Sequence, residues 1–285
     1  MDQTCEKITI GSAGARLLGT LYKAEGTARA SLVLHGATGV PQRFYRHFAT
    51  WAAGQGITTL TYDYRDFGES LEGHPKHSKA VFADWLVHDQ AAAQAKLAEI
   101  APEGPLWVLG HSLGGLGIPF HRYDPRVSRI ITSGAGRAHF TDHPWSYRPK
   151  ALAFWFGIGP LATTLAGFMP GRRLRFGADL PAGVYWQWRR WCTQRDFYDA
   201  DLGKTLPAPE QAETKSKIRI CVATDDQVVP PVAVKRYADS LAAIDATFVT
   251  FDPQEYSREK FGHIDILSPS NTAVWPDLLA LQEWE

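Results

Sequence analysis

Cysteine is scarce in this chain, and the three residues present form no pattern. Cys5, Cys192 and Cys221 lie far apart among 285 residues, and their number is odd. A secreted disulfide framework uses an even set of closely spaced cysteines, so the spacing excludes that class and favours a reducing compartment. The first residues also lack the basic start and apolar core of a secretory signal. We therefore expect a cytoplasmic protein.

An excess of charge of one sign is lacking as well. The chain has 30 Lys and Arg against 30 Asp and Glu, a formal net charge of zero. No long basic or acidic run is present, so nothing favours a nucleic-acid partner. His139 and His143 lie four residues apart, but no further ligands accompany them, so we expect no metal site. The sequence leaves the oligomeric state open, a homodimer included.

Short apolar segments alternate with helical periodicity along most of the chain. Residues 30–34 form a continuous apolar run typical of a buried parallel strand, and two N-terminal strands form a hairpin through residues 12–14. The predicted strands are 7–10, 16–22, 30–34, 57–62, 106–109, 127–132, 218–223 and 246–251, and the predicted helices are 43–53, 79–100, 232–243 and 272–284. This alternation predicts an α/β fold with a mostly parallel eight-stranded sheet and flanking helices.

The alternation is interrupted between residues 137 and 215, where the composition changes. Five of the ten tryptophans fall there, and arginine is also dense. We predict a core domain from residues 1–136 and 216–285. Residues 137–215 are predicted to form an inserted helical cap, or lid, over the carboxyl edge of the sheet, where open α/β sheets bind ligands.

The most specific motif is the G-x-S-x-G pentapeptide at residues 110–114. It follows a predicted strand and precedes small and apolar residues that can start a helix. A serine on a sharp strand-to-helix turn projects its hydroxyl from the backbone, and flanking glycines permit the turn because a Cβ would clash there. The same turn leaves the N–H of Leu113 free to stabilise an oxyanion. Ser112 is therefore a candidate nucleophile.

A nucleophilic serine needs a base, and the base needs an orienting acid. Asp225 and Asp226 follow the strand at 218–223, and His263 follows the last strand. Parallel strands end at one edge of a sheet, so these side chains are expected at the same rim as the serine turn. Other histidines are expected in turns (His35 and His111) or on solvated surfaces (His74, His77, His88, His121, His139 and His143).

One uncharged stretch, residues 151–171, is long enough to cross a bilayer. Two features argue against a membrane span. The Gly-Ile-Gly-Pro sequence at 157–160 would break a helix near its middle. A span would also place the acid and the base across the membrane from Ser112. We predict a hydrophobic lid element instead.

Five segments in chain order resemble one family. They are His35-Gly36-Ala37-Thr38-Gly39, the Asp-Tyr-Arg-Asp-Phe-Gly-Glu-Ser sequence at 63–70, the Gly-His-Ser-Leu-Gly-Gly elbow, the Asp-Gln-Val-Val-Pro acid loop and Gly262-His263. Together they resemble capped serine hydrolases of the α/β-hydrolase fold, near the esterase, monoacylglycerol-lipase and S33-peptidase-like groups. Each segment is weak alone, but five in order are specific. One departure is Asp66, where relatives usually carry glycine.

The resemblance implies a role for each candidate residue. Ser112 would attack an acyl carbonyl, His263 would take its proton, and the family's D-x-x-V-P register favours Asp226 over Asp225 as the acid. The oxyanion hole would combine the N–H of Leu113 with that of Ala37. Substrate contacts are expected from Thr38, Tyr185, Trp188 and Trp191. The last three share a helical face, which either packs the cap or forms an apolar pocket wall.

The implied activity is cleavage of a carboxylic ester through an acyl-enzyme, with a small-molecule ester or acyl substrate and no cofactor. The same triad could open a lactone, an amide or an N-terminal peptide bond, the last with help from cap carboxylates such as Asp196, Asp199 or Asp201. The sequence is also compatible with an acyltransferase and with a ligand receptor that has little turnover. A haloalkane dehalogenase is disfavoured because its nucleophile is an aspartate.

Overall fold

The computed structural model describes residues 5–209, 216–241 and 245–284. Its strands, in chain order, are β1 Cys5–Ser12, β2 Ala15–Tyr22, β3 Ala30–His35, β4 Ile57–Tyr62, β5 Leu106–His111, β6 Val127–Ser133, β7 Phe168–Met169, β8 Leu180–Pro181, β9 Lys217–Ala223 and β10 Ala246–Phe251. Eight of them form one sheet in the order β1-β2-β4-β3-β5-β6-β9-β10, and β7 pairs with β8. The β1–β2 and β2–β4 pairs are antiparallel and the others in the large sheet are parallel, so the predicted sheet is confirmed.

Two hydrophobic layers cover the faces of this sheet. Alternate side chains of a strand point to opposite faces, so Val33 of β3 belongs to one buried cluster and Leu32 to the other. Every residue of β3 and β5 is buried. Continuous apolar runs in the sequence therefore correspond to strands covered on both sides.

The α-helices are α1 Arg46–Gly54, α2 Phe82–Asp84, α3 Gln90–Ile100, α4 Arg148–Phe156, α5 Ile158–Ala166, α6 Gly171–Leu174, α7 Ala182–Thr193, α8 Pro231–Ser240 and α9 Trp275–Leu278. The helix predicted at 79–100 begins only at Phe82, and a π segment, Trp85–Asp89, joins α2 to α3. The last residues of the helix predicted at 232–243 lie outside the described residues.

The closing helix predicted at 272–284 is wrong. A 3-10 segment, Pro269–Val274, precedes the four-residue α9, and a second, Leu281–Trp284, follows it. Pro276 has no N–H to continue a helix from the preceding turn. Ala280 then has a left-handed φ of 51°, which ends the helical path.

Asp66 shows why relatives favour glycine at that position. Its φ is 57°, in the left-handed region that glycine adopts most easily. Aspartate tolerates this conformation better than most residues, and here its Oδ2 accepts a hydrogen bond from Ser78 Oγ at 2.5 Å. The turn therefore keeps the left-handed conformation that glycine favours, although Asp66 occupies the position.

Helices α4 to α7 and the β7–β8 pair occupy the chain between β6 and β9, which we call the insertion. The uncharged stretch 151–171 forms α4 and α5, separated at Gly157 as predicted. Among the described residues, no helix is long and apolar enough to cross a membrane. Phe154 and Trp155 of α4 are buried in the same cluster as Val33, so the insertion packs continuously with one face of the core.

Candidate active site

The turn after β5 is packed too tightly for side chains at its glycines. Ser112 has a left-handed φ of 54°. A Cβ on Gly110 would lie 2.4 Å from the carbonyl oxygen of Gly114, and a Cβ on Gly114 would lie 2.0 Å from that of His35. Only a short 3-10 segment, Ser112–Gly115, follows in place of a longer helix. The turn thus presents the serine hydroxyl at the carboxyl edge of the sheet.

The structure brings Ser112, His263 and Asp226 into one hydrogen-bonded chain. Ser112 Oγ lies 2.9 Å from His263 Nε2, and His263 Nδ1 lies 2.6 Å from Asp226 Oδ2. Asp226 Oδ1 accepts the N–H groups of Val228 and Val229, each at 2.8 Å. With its carboxylate so held, Asp226 fixes His263 as the Nδ1–H tautomer, which leaves Nε2 free to accept the serine proton.

Asp225 has different partners from its neighbour. Its carboxylate accepts the N–H groups of Phe261 and Gly262 at 3.0 Å, directly before the histidine. Asp226 therefore contacts the imidazole. Asp225 instead connects its own loop, after β9, to the loop after β10 that carries His263, which we call the base loop. The D-x-x-V-P register favoured Asp226 for the contact with the imidazole, but it gave no role to Asp225.

A second chain of hydrogen bonds runs beneath the triad. The N–H of Ala37 donates to Tyr45 Oη at 2.8 Å, and Tyr45 Oη lies 2.9 Å from His111 Nδ1. His111 Nε2 donates to the carbonyl of His263 at 2.8 Å. Burial and the nearby His263 lower the pKa of His111 to about 3, so its ring is neutral and Nδ1 accepts from the tyrosine. Tyr45, which the sequence patterns did not single out, thus joins the loop after β3 to the base loop.

This chain changes the expected oxyanion hole. The Ala37 N–H, expected to point at the substrate, is directed to Tyr45 instead. In the part of the chain that the structure describes, the N–H groups of Thr38 and Leu113 have no acceptor, and both residues line the cavity beside Ser112. The two free donors therefore come from Thr38 and Leu113.

A cavity of about 950 Å³ opens at Ser112. Of the three aromatic residues expected to line it, only Trp188 does. Tyr185 and Trp191 correct the expectation, because both are fully buried inside the insertion. Tyr185 Oη donates to the carbonyl of Phe154 at 2.6 Å, and Trp191 Nε1 donates to Asp201 at 2.7 Å.

Other apolar side chains line the cavity that the sequence patterns did not single out. They are Phe82, Leu116, Ala151, Phe154, Trp155, Phe176, Phe197 and Val229. The α4 members recur at 151, 154 and 155, a spacing that places them on one helical face. This spacing is visible in the sequence and could have predicted that α4 forms part of the pocket wall.

Three histidines expected on the surface are buried: His121, His139 and His143. His121 Nε2 lies 3.0 Å from Gln90 Oε1, and His143 Nδ1 lies 3.0 Å from the carbonyl of Gln227. Polar partners inside the fold thus account for their burial. Across the described ranges, no group of three or more potential ligands is arranged to hold a metal ion.

Residues 32–258 match the model of the alpha/beta hydrolase family, which covers most of the chain. The chain belongs to this family. The sequence resemblance is thereby confirmed at the level of the α/β-hydrolase superfamily, and the strand order fits the α/β-hydrolase fold. No curated protein matches the sequence.

Solved structures share the fold at low sequence identity. DcsB, solved in complex with its substrate analogue, has 16% identity and a TM-score of 0.61, over 99% of this chain and 98% of that one. A serine hydrolase without lid from Xanthomonas campestris has 12% identity and a TM-score of 0.55, over 100% and 96% of the two chains. A thermostable carboxyl esterase from Bacillus coagulans has 12% identity and a TM-score of 0.55, over 87% and 89%.

Tyr45→Phe is expected to lower the free energy of unfolding by about 2 to 4 kcal/mol, because it leaves two buried polar groups, Ala37 N–H and His111 Nδ1, without partners. Tyr185→Phe is the matched control, since it removes one hydrogen bond inside the insertion and should cost about 1 kcal/mol. Urea unfolding measures both. An equal loss in the free energy of unfolding for the two variants would show that the chain through Tyr45 stabilises the protein no more than a single hydrogen bond does.

Proposed function

We propose that this protein is a serine hydrolase that cleaves a carboxylic ester through an acyl-enzyme. The observation that carries the proposal is the hydrogen-bonded chain from Ser112 through His263 to Asp226, at the bottom of an apolar cavity. Family membership supports hydrolysis as the reaction class. We also propose that the insertion is a cap, with residues 137–215 forming its domain, because its helices supply much of the cavity wall.

In the proposed reaction, Ser112 Oγ attacks the ester carbonyl while His263 Nε2 removes the hydroxyl proton. Asp226 stabilises the imidazolium that forms, and the imidazolium then protonates the departing alcohol. Water, activated by the same imidazole, attacks the acyl-enzyme and releases the acid. Transfer of the serine proton would follow the hydrogen bond of 2.9 Å between Ser112 Oγ and His263 Nε2.

We propose that the N–H groups of Leu113 and Thr38 stabilise the tetrahedral oxyanion. Preorganised donors of this kind contribute strongly, since losing one typically costs about a hundredfold to a thousandfold in turnover. The N–H of Ala37 already donates to Tyr45 Oη at 2.8 Å, so it would have to give up that bond to reach an oxyanion.

A crystal structure of the phosphonate adduct at Ser112 tests this assignment. The phosphoryl oxygen is expected within about 3 Å of the nitrogen atoms of Leu113 and Thr38. A phosphoryl oxygen bonded to the nitrogen of Ala37, with Tyr45 displaced, would restore the arrangement that the sequence implied.

Substitution of the triad should rank its members. Ser112→Ala is expected to lose about a millionfold in kcat for a p-nitrophenyl ester and all fluorophosphonate labelling. Asp226→Asn should lose about ten-thousandfold, because the imidazole adopts the wrong tautomer. Asp225→Asn is the matched control and should lose far less, since an amide oxygen can still accept one N–H from the base loop. A larger loss of kcat for Asp225→Asn than for Asp226→Asn would make Asp225 the acid. Fluorophosphonate labelling of the unmodified protein without ester turnover would indicate a receptor or a transferase.

The cavity also predicts a preference for apolar acyl chains. Each methylene buried against Trp188 and its neighbours should add about 0.8 kcal/mol of binding, roughly fourfold in kcat/KM, until the cavity is full. Trp188→Ala should flatten this rise across a series of p-nitrophenyl esters. Trp191→Phe, a change inside the insertion, should lower stability and keep the slope. A flat profile in the unmodified protein would contradict an acyl pocket.

An aminopeptidase is not favoured by the cavity. Such an enzyme needs a carboxylate to hold the substrate amine, and the described lining residues include no Asp or Glu. Among the cap carboxylates considered, Asp201 is bound by Gln187, Arg190 and Trp191, and Asp199 pairs with Arg137.

A further inference from the structure

Positive charge is concentrated on the wall of the cavity. Arg43 and Arg46 line it from the core, within and just after the 3-10 turn Gln42–Tyr45. Arg172 and Arg175 line it from the insertion, in α6 and at its end. All four side chains are exposed. The chain as a whole has no net charge, so the cluster is a local feature of this cavity.

A backbone contact holds the two pairs of arginines near each other. The N–H of Ala178, three residues after Arg175, donates to the carbonyl of Gly39 at 2.9 Å. A Cβ added to Gly177 would lie 2.9 Å from the same oxygen. Gly39 in turn lies four residues before Arg43. The segment after α6 is therefore packed against the loop after β3, and arginines of both segments line the same cavity.

Protein carboxylates do not neutralise this rim. Within the described residues, no ion pair joins a carboxylate to the guanidinium of Arg43, Arg46 or Arg175. Asp179 accepts the backbone N–H of Arg172 at 3.1 Å, and its carboxylate lies 4.0 Å from the Arg172 guanidinium. Burial raises the pKa of Asp63 to about 6, and its carboxylate accepts the N–H groups of Gln42 and Glu69 at 2.7 and 2.8 Å.

Like charges beside an apolar wall repel one another, and the low-dielectric surroundings strengthen their field. Such a field attracts an anion and raises its concentration at the mouth of the site. Guanidinium groups bind planar anions through paired hydrogen bonds, so carboxylates and phosphates fit best.

We propose that the substrate carries an anionic group, a carboxylate or a phosphate, and that Arg43, Arg46, Arg172 and Arg175 bind it. The inference rests on the ester hydrolysis proposed above and names its substrate class. The acyl chain then lies against the aromatic wall, and the anion stays at the solvated rim. The charge can sit at the far end of the acyl chain, as a carboxylate, or on the leaving group, as a phosphate.

Binding to the Ser112→Ala variant, measured by calorimetry, tests the inference without turnover. Mono-4-nitrophenyl adipate is compared with 4-nitrophenyl hexanoate, and hexanoyl-coenzyme A with S-hexanoyl-N-acetylcysteamine. In at least one pair, the anionic probe should bind about tenfold tighter or more at low salt. The advantage should shrink at 0.5 M salt because the rim is exposed. The pair that responds identifies carboxylate or phosphate.

Charge substitutions locate the effect. In the Ser112→Ala background, Arg43→Gln and Arg175→Gln should each reduce the anionic advantage several-fold, and the double variant should reduce it further than either single variant. Arg16→Gln is the control, because Arg16 pairs with Glu72 and does not line the cavity. The inference is overturned if neither anionic probe binds better than its neutral partner, or if Arg16→Gln has the same effect. Turnover of 4-nitrophenyl hexanoate by the unmodified enzyme tests the hydrolase separately, so retained anion binding without turnover would contradict only the proposed reaction.

Discussion

The site depends on how closely the turn after β5 lies against the end of β3. The space between Gly114 and the carbonyl of His35 is too small for a Cβ, and this contact sets the position of Ser112 relative to the loop at 36–39. Both free N–H donors belong to these two segments. Ser112, the proposed nucleophile, and the proposed oxyanion hole are therefore positioned by one backbone contact, and the hydroxyl of Tyr45 binds the same loop through the Ala37 N–H.

The two adjacent aspartates show how the base is held in place. Each carboxylate accepts two backbone N–H groups, which offsets the free energy of removing a charge from water. Asp226 then has one oxygen to spare for His263, whereas Asp225 has none that points at the imidazole. Asp226 thus fixes the orientation of the imidazole ring, and Asp225 fixes the path of the loop that carries His263. The carbonyl of His263 is held from a third direction by His111.

The insertion gives the cavity two kinds of surface. Its helices present aromatic side chains inwards, while Arg172 and Arg175 stay exposed, since burying an unpaired guanidinium would cost several kcal/mol. An apolar interior with a charged rim suits an amphipathic molecule better than a uniformly apolar one. The contact between Ala178 and Gly39 links this insertion directly to the loop that carries Thr38, one of the two proposed oxyanion donors.

Sequence periodicity predicted the eight-stranded sheet, the break at Gly157 and the position of the serine turn, because these features depend on local patterns of apolar residues and glycine. The same patterns named Ser112, His263 and a pair of aspartates, since chain order places strand ends at one rim. Helix ends and the closing helix were predicted less well, because prolines and a left-handed residue interrupt a periodic pattern.

By itself, then, the sequence determined the fold class and supplied the candidate site residues that the structure brings together. Only the tertiary structure decided that Asp225 binds the loop before His263, that the Ala37 N–H is directed to Tyr45, and that Trp188 lines the cavity while Tyr185 and Trp191 are fully buried. It alone also brought together arginines from distant parts of the chain. These outcomes depend on long-range packing, which local sequence patterns do not encode.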